Sequence, residues 1–170
     1  IANLMALDTS LTASDAKVNV AKALGFTDAE IAAGFDPLTF NAFDPAESGD
    51  AYEALALKSE LTSKKIMTVV NTLAAAVEGS GASKADAFKA AMDSVAGVLS
   101  VKITNMSDAT KTAAEKVLDF NVAADVAAIT TALSADLVNV TGSSDCLPIL
   151  SRLTPSIKNI NGQSRSFVFL

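Results

Sequence analysis

The sequence predicts an all-α protein: an irregular bundle of five or six helices with an aromatic Asp-Pro connector and an irregular C-terminal tail. Half of the 170 residues are apolar, and much of that half is alanine, the strongest helix former. Apolar side chains recur at spacings of three and four residues along several long segments, which is the period of a buried helix face. Ser, Thr or Asp precedes these segments and glycine follows several of them, as is typical of helix ends.

The first two helices are predicted from their caps. Thr12 is expected to cap the first helix with Asp15 three residues later, and a glycine ends that helix. Thr27 and Glu30 form a capping-box pattern that opens a second, short helix, which Gly34 closes. We therefore expect two short helices joined by a tight turn.

The longest predicted helix follows the connector, with Ser48 or Asp50 as its cap and Gly79 and Gly81 at its end. At ~1.5 Å per residue it would extend roughly 40 Å and form the spine of the domain. Its expected buried stripe consists of Tyr52, Leu55, Thr62, Ile66, Val69, Val70, Leu73 and Val77.

Ser83 and Asp86 are expected to cap the next helix, and the short Gly/Ser turn before it predicts antiparallel packing against the longest helix. Gly97 is expected at a close helix crossing. Ser107 is expected to begin a shorter helix that continues through Leu118. The buried stripe predicted for the helix after Ser83 consists of Phe88, Met92, Val95, Leu99 and Ile103.

Asn121 is expected to cap the last helix, because an apolar period of three and four residues begins directly after it. This is the most regular stripe in the chain and predicts a core helix. Its members are Val122, Val126, Ile129, Leu133, Leu137 and Val140.

We expect residues 1–140 to form one acidic helical domain, cut from a longer protein at its N-terminus, and residues 141–170 to form a tail of uncertain structure. The first segment carries ten Lys or Arg and eighteen Asp or Glu, a formal charge of −8, whereas the tail carries three and one, a charge of +2. Pro148 and Pro155 break helices in the tail, and its closing "RSFVFL" fits a short strand or an apolar plug.

Composition argues against several classes of function. Histidine is absent, which removes Ser-His and Cys-His nucleophile pairs and imidazole metal ligands. Cys146 is the single cysteine, so an intrachain disulfide or a cysteine-based zinc site is excluded. The acidic body argues against nucleic acid and anionic membrane surfaces, which both require a positive footprint. No apolar run approaches the ~18 residues of a membrane span. We therefore expect a chain that is not an enzyme.

The connector "GFDPLTFNAFDP" is the most unusual stretch, because it places three phenylalanines and two Asp-Pro pairs between helices. Phe35, Phe40 and Phe43, together with Phe26, can each bury on the order of 150–250 Å². Alanine-rich helices leave gaps that methyl groups do not fill, so we expect the rings to plug the bundle. The alternative is an exposed aromatic patch that binds a partner or a glycan.

The same connector offers oxygen ligands for a hard cation such as calcium. The candidate ligands are Asp36, Asn41, Asp44 and Asp50, with further oxygens on Thr39, Glu47 and Ser48. The spacing of an EF-hand loop is not met, and Asp followed by Pro has an ordinary role at turns and helix starts. No bound cofactor is the favoured interpretation, and calcium is the alternative.

Three segments carry a family resemblance: "LTASDAKVNVAKALGF", "GFDPLTFNAFDP" and "ALALKSELTSKKIMTVVNTLAAAVEG". Together they resemble an Ala-rich helical module of large bacterial surface and secreted proteins, found near cadherin-like, immunoglobulin-like or calcium-binding repeats. The resemblance covers about residues 1–99, and the Asp-Pro turn between two helices is its distinctive part. It implies an extracellular module without catalytic residues, and the sequence departs from the module after Val140.

These observations favour a non-catalytic structural or interaction module of a longer bacterial surface or secreted protein. Its expected partners are neighbouring domains of the same chain or cell-surface proteins. The alternative is a binding module for calcium, a glycan or a small apolar ligand at the connector, residues 35–50.

Overall fold

A computed structural model of the chain describes residues 12–41, 43–44 and 49–141, with the side chains of 137–141 left out. The predicted all-α class is confirmed: the described residues contain six helices and no strand. The helices are α1 (Ala13–Ala23), α2 (Asp28–Ala32), α3 (Asp50–Glu78), α4 (Lys84–Met106), α5 (Ala113–Lys116) and α6 (Ala123–Thr141). None of the described helices is long and apolar enough to cross a membrane.

The described chain divides into two compact units. The first unit contains residues 12–64 and 99–118, and the second contains residues 65–98 and 119–141. Helices α3 and α4 each contribute residues to both units. The predicted tail, with Cys146 and the possible strand "RSFVFL", lies outside the described residues, as do residues 1–11 and Ser48.

The first unit has two small buried clusters. In one, Val20 and Ala23 of α1 pack against Ile103 of α4. The other joins Ala21, Phe26, Phe35 and Leu55, so it links α1, the connector and the start of α3. The backbone N–H of Leu118 donates to the carbonyl of Ala23 at 2.8 Å, which ties the segment after α5 to the end of α1.

In the second unit, the C-terminal half of α3, the N-terminal half of α4 and helix α6 each bury one face. The predicted stripe of α6 is confirmed for Val126, Ile129 and Leu133, which are buried. It is wrong for Val122, which is 38% exposed just before the helix begins, and the side chains of Leu137 and Val140 lie outside the description. The later part of the stripe predicted for α3 is also confirmed, since Val69, Val70, Leu73 and Val77 are buried.

Capping boxes set the starts of the short helices, as predicted. Thr12 accepts a hydrogen bond from the backbone N–H of Asp15 at 3.1 Å, and the Asp15 carboxylate accepts from the Thr12 backbone. Thr27 and Glu30 form the same reciprocal pair at the start of α2. Gly34 follows α2 with φ of 108°, a conformation that only glycine adopts without strain.

The stripe predicted for α4 is wrong in its first half. Phe88 and Met92 are exposed, by 40% and 39%, whereas Val95 and Ile103 are buried. The buried face of this half of the helix is made of small side chains: Ala87, Ala90, Ala91, Ser94, Val95 and Val98. Alanine and serine allow neighbouring helices to pack closely. The small face of α4 is therefore buried, and the largest apolar residues of this half stay exposed.

Four further expectations differ from the structure. A Cβ on Gly97 would have no neighbour within 4 Å, so Gly97 marks no close crossing. The helix expected from Ser107 begins only after Thr112, whose side chain caps α5. Asn121 precedes α6 but bonds through its side-chain amide to Asp119 Oδ1 at 2.8 Å. Asp50 is the first residue of α3, and Gly49 precedes it with φ of 113°.

Candidate functional site

Four aromatic rings form a continuous row in the first unit. The rings of Phe26 and Phe35 stack with their centroids 3.7 Å apart and their planes 11° apart. Phe40 lies 5.3 Å from Phe35, and Tyr52 of α3 lies 5.6 Å from Phe40. The connector therefore supplies the middle of the row, between one ring after α1 and one ring on α3.

The aromatic plug is confirmed for part of the connector. Phe26 and Phe35 are buried, and Phe40 is half-buried against its two aromatic neighbours. The expectation is wrong for Phe43, whose side chain is 76% exposed. Phe43 therefore does not plug the bundle, and the ring contacts of the row join Phe26, Phe35, Phe40 and Tyr52.

Asp36 and Pro37 begin the turn that places these rings. The Asp36 carboxylate accepts the backbone N–H of Leu38 at 2.8 Å, and its carbonyl accepts the N–H of Phe40 at 2.8 Å. Proline presets the backbone for such a turn, and an aspartate side chain closes it. The turn role predicted for this Asp-Pro pair is confirmed, while Pro45 of the second pair lies outside the described residues.

An ion pair holds the turn against α1. Lys17 Nζ lies 2.7 Å from Asp36 Oδ2, and both side chains are about one-third exposed. Hydrogen bonding from Lys17, followed by the backbone N–H of Leu38, lowers the pKa of the Asp36 carboxyl below its ordinary value. The carboxylate is thus stabilised in its charged form by contacts within the fold.

A second ion pair holds the other end of the row. Lys58 of α3 donates to both carboxylate oxygens of Glu30, at 2.8 and 2.7 Å, and to the carbonyl of Gly25 at 2.9 Å. The ammonium also lies 4.8 Å from the centroid of Phe26, within range of a cation–π contact. Hydrogen bonds from Lys58 and from the backbone of Thr27 lower the pKa of Glu30.

Tyr52 fixes the part of the connector that follows Phe40. Its hydroxyl donates to the carbonyl of Asn41 and accepts the backbone N–H of Asp44, the second at 3.3 Å. The Asn41 side chain in turn accepts the N–H of Phe43 at 3.1 Å. One α3 side chain therefore closes the aromatic row and also anchors two positions of the backbone.

A cavity of about 240 Å³ lies beside Phe35 in the first unit. Val18 of α1 and Ile31 of α2 form part of its apolar lining, and the ion pair of Lys17 with Asp36 also borders it. The cavity thus combines an apolar wall with one charged group of each sign.

The four calcium candidates take different roles in the structure. Asp36 binds Lys17 and its own turn, Asn41 binds the backbone of Phe43, and Asp50 begins α3. Asp44 is half-buried next to Tyr52. Over residues 12–41, 43–44 and 49–141, no group of three or more Asp, Glu, His or Cys side chains is placed to hold a metal ion. The calcium site stays a prediction.

The sequence-based search missed Lys17 and Lys58, which carry the two ion pairs of the site. Lys58 and Glu30 are separated by 28 residues, so no local spacing relates them. No local spacing identifies the role of Asp125 either. It is buried in the first turn of α6, and its carboxylate accepts the backbone N–H of Asp119 at 2.9 Å.

No protein-family model, curated protein or solved structure matches the chain.

Proposed function

We propose that the chain is a non-catalytic structural and interaction module of a longer bacterial surface or secreted protein. The observation that carries this proposal is the packing of the connector against the neighbouring helices. The rings of Phe35 and Phe40, the Asp36 carboxylate and the connector backbone contact α1, α2 or α3. A segment with these contacts fixes α1, α2 and α3 relative to one another.

The charged groups around the aromatic row support a structural role. Lys17 and Lys58, with their partners Asp36 and Glu30, form two ion pairs that span helices and connector. Both carboxylates have a lowered pKa, which keeps them ionised and paired over the ordinary range of pH. A general acid or base instead requires a pKa near the operating pH.

The extracellular location is part of the proposal and is supported by the resemblance over about residues 1–99. Neighbouring domains of the same chain or cell-surface proteins would then be its partners. Protease treatment of intact cells that produce the native protein tests the location. Cleavage of the module without cell lysis is expected, whereas full protection until lysis would contradict a surface position.

A binding role is the second candidate, and two observations favour it. The cavity beside Phe35 has room for a small apolar ligand, and the exposed ring of Phe43 is available to a glycan or another partner. The calcium alternative belongs to the same candidate, through the connector oxygens.

Thermal melting separates the scaffold role from calcium binding. A ligand that binds only the folded state raises Tm by mass action. The scaffold role predicts the same Tm with millimolar calcium, with chelator, and with neither. A rise in Tm with calcium that the variant Asp44→Asn abolishes would overturn the scaffold role in favour of calcium binding.

A further inference from the structure

The second unit contains a groove that the proposed scaffold role does not use. It has a volume of about 590 Å³ and lies between the last turns of α3 and the first turns of α4. Ala74 and Ala75 line it on the α3 side, and Phe88 lines it on the α4 side. Glu78 and Lys84 flank the groove at the end where the turn joins the two helices.

Exposed apolar side chains continue from the groove lining along both helices. Phe88 is 40% exposed, and Met92 follows it one turn later on the same face of α4. Met67 is likewise exposed on α3, and it precedes Asn71 and Ala75 at helical spacing. Aromatic residues and methionine are enriched in protein interfaces, whereas scattered surface positions favour polar residues.

The two sides of the groove are complementary to each other in size and charge. Small alanines line its α3 side, and the partly exposed ring of Phe88 lines its α4 side. Its two charged residues, Glu78 and Lys84, have opposite signs and are both exposed. The same surface therefore contains both partners of an alanine–phenylalanine contact and of an ion pair. Such a self-complementary surface is the condition for a two-fold symmetric interface between two copies.

We propose that this groove is a homodimer interface in which Phe88 of each copy fills the alanine-lined hollow of the other. Residues equally far from the turn at 79–83 lie side by side, so Lys84 is level with Glu78, and Phe88 is level with Ala74 and Ala75. A two-fold axis along the groove places α3 of one copy on α4 of the other. Each Phe88 then meets two alanines, and Glu78 meets Lys84 twice.

The oligomeric state of the whole chain at increasing concentration tests this interface. Sedimentation velocity is expected to show a shift from 17.4 kDa toward twice that mass. Phe88→Asp is expected to hold the chain at the monomer mass throughout, because it places a charge in the hollow. The matched control is Val101→Asp, an equally apolar and more exposed position on α4, which is expected to dimerise like the wild type.

Charge reversal provides a second test at exposed residues that the fold does not require. Glu78→Lys and Lys84→Glu are each expected to weaken dimerisation about tenfold, since two attractive pairs become repulsive. The double variant is expected to restore the wild-type dissociation constant, because the pairs re-form with exchanged signs. Circular dichroism checks that each variant is folded.

Three results would overturn the interface. The first is a monomer at every concentration tested. The second is a dimer that persists in Phe88→Asp. The third is a double charge variant as weak as the single variants, which would show that Glu78 and Lys84 do not meet.

Discussion

Lys58 contacts three residues at one end of the aromatic row. It bonds to Glu30 and to the Gly25 carbonyl, and its ammonium lies over the ring of Phe26. These contacts join α3 to the start of α2 and to the turn that precedes it. A single lysine therefore fixes the end of the row opposite to Tyr52.

The pairing of Glu30 predicts a defined dependence of stability on pH. The folded pKa of Glu30 lies below its ordinary value of 4.5, so its charged form contributes stability above that value. This contribution is lost as the pH falls through the folded pKa. Glu30→Gln should therefore lower the free energy of unfolding by about 1 kcal/mol at neutral pH, and the difference should shrink toward strong acid.

Urea denaturation of wild type and Glu30→Gln between neutral and strongly acidic pH measures this difference. Glu53→Gln is the control, since Glu53 is exposed in the first turn of α3 and should lose only the few tenths of a kcal/mol that a carboxylate contributes near a helix N-terminus. A deficit in Glu30→Gln that stays constant with pH would mean that the carboxylate charge contributes nothing.

Residue-scale predictions from sequence succeeded where partners are close along the chain. The capping boxes of Thr12 and Thr27 each join residues three apart, and both are present. The partners of Lys17 and Lys58 lie 19 and 28 residues away, so only the folded arrangement reveals them. The exposure of Phe43 also depends on the folded arrangement, because local spacing does not show which of the connector rings are covered.

Among the elements, α2 depends strongly on its cap. It has five residues and no buried side chain, so it contributes little burial of its own. Its start is fixed by the reciprocal bonds of Thr27 and Glu30, and its end by Gly34. Short helices are marginal without such contacts.

Thr27→Ala should lower the free energy of unfolding by about 1 kcal/mol, the usual cost of removing an N-cap hydroxyl. Ser63→Ala is the matched control, because Ser63 is exposed within α3, where alanine is the better helix former. It should leave stability unchanged or raise it by a few tenths of a kcal/mol. Chemical denaturation compares the two, and equal effects would contradict the capping role.

The register of α4 shows the limit of periodicity as a predictor of an element. Both the Phe88 stripe and the alanine face of this helix follow a helical period, so spacing alone does not choose between them. The choice depends on how closely the neighbouring helices approach. Alanine at 87, 90 and 91 permits a closer approach than phenylalanine would, and these alanines are the buried ones.

A larger side chain on the alanine face should therefore be costly. Ala91 is fully buried, and Ala91→Leu should destabilise the protein by about 1–3 kcal/mol through overpacking. Ala128→Leu, at an exposed position of α6, should change stability by less than about 0.5 kcal/mol. If Ala91→Leu is as mild as its control, the small face of α4 is not packed as the structure shows.

At the scale of the whole molecule, the all-α class followed from alanine content and helical spacing, because both are averages over long segments. The division of the described chain into two compact units was not foreseen, since its boundaries fall inside α3 and α4. In a sequence, domain boundaries are recognised by linkers, which show a change of composition or a glycine-rich turn. A boundary inside a continuous helix has neither signal. The sequence pointed to the connector through its rings and Asp-Pro pairs, but the ion pairs of Lys17 and Lys58 depend on tertiary contacts.

The central claim is that the connector supports the fold from inside through Phe35. The most direct measurement is the free energy of global unfolding of Phe35→Ala beside Phe43→Ala, by urea denaturation followed by circular dichroism. Phe35 is 6% exposed, so its loss should cost about 3–5 kcal/mol, whereas Phe43→Ala should cost less than about 0.5 kcal/mol. Equal and small losses in the two variants would contradict the claim.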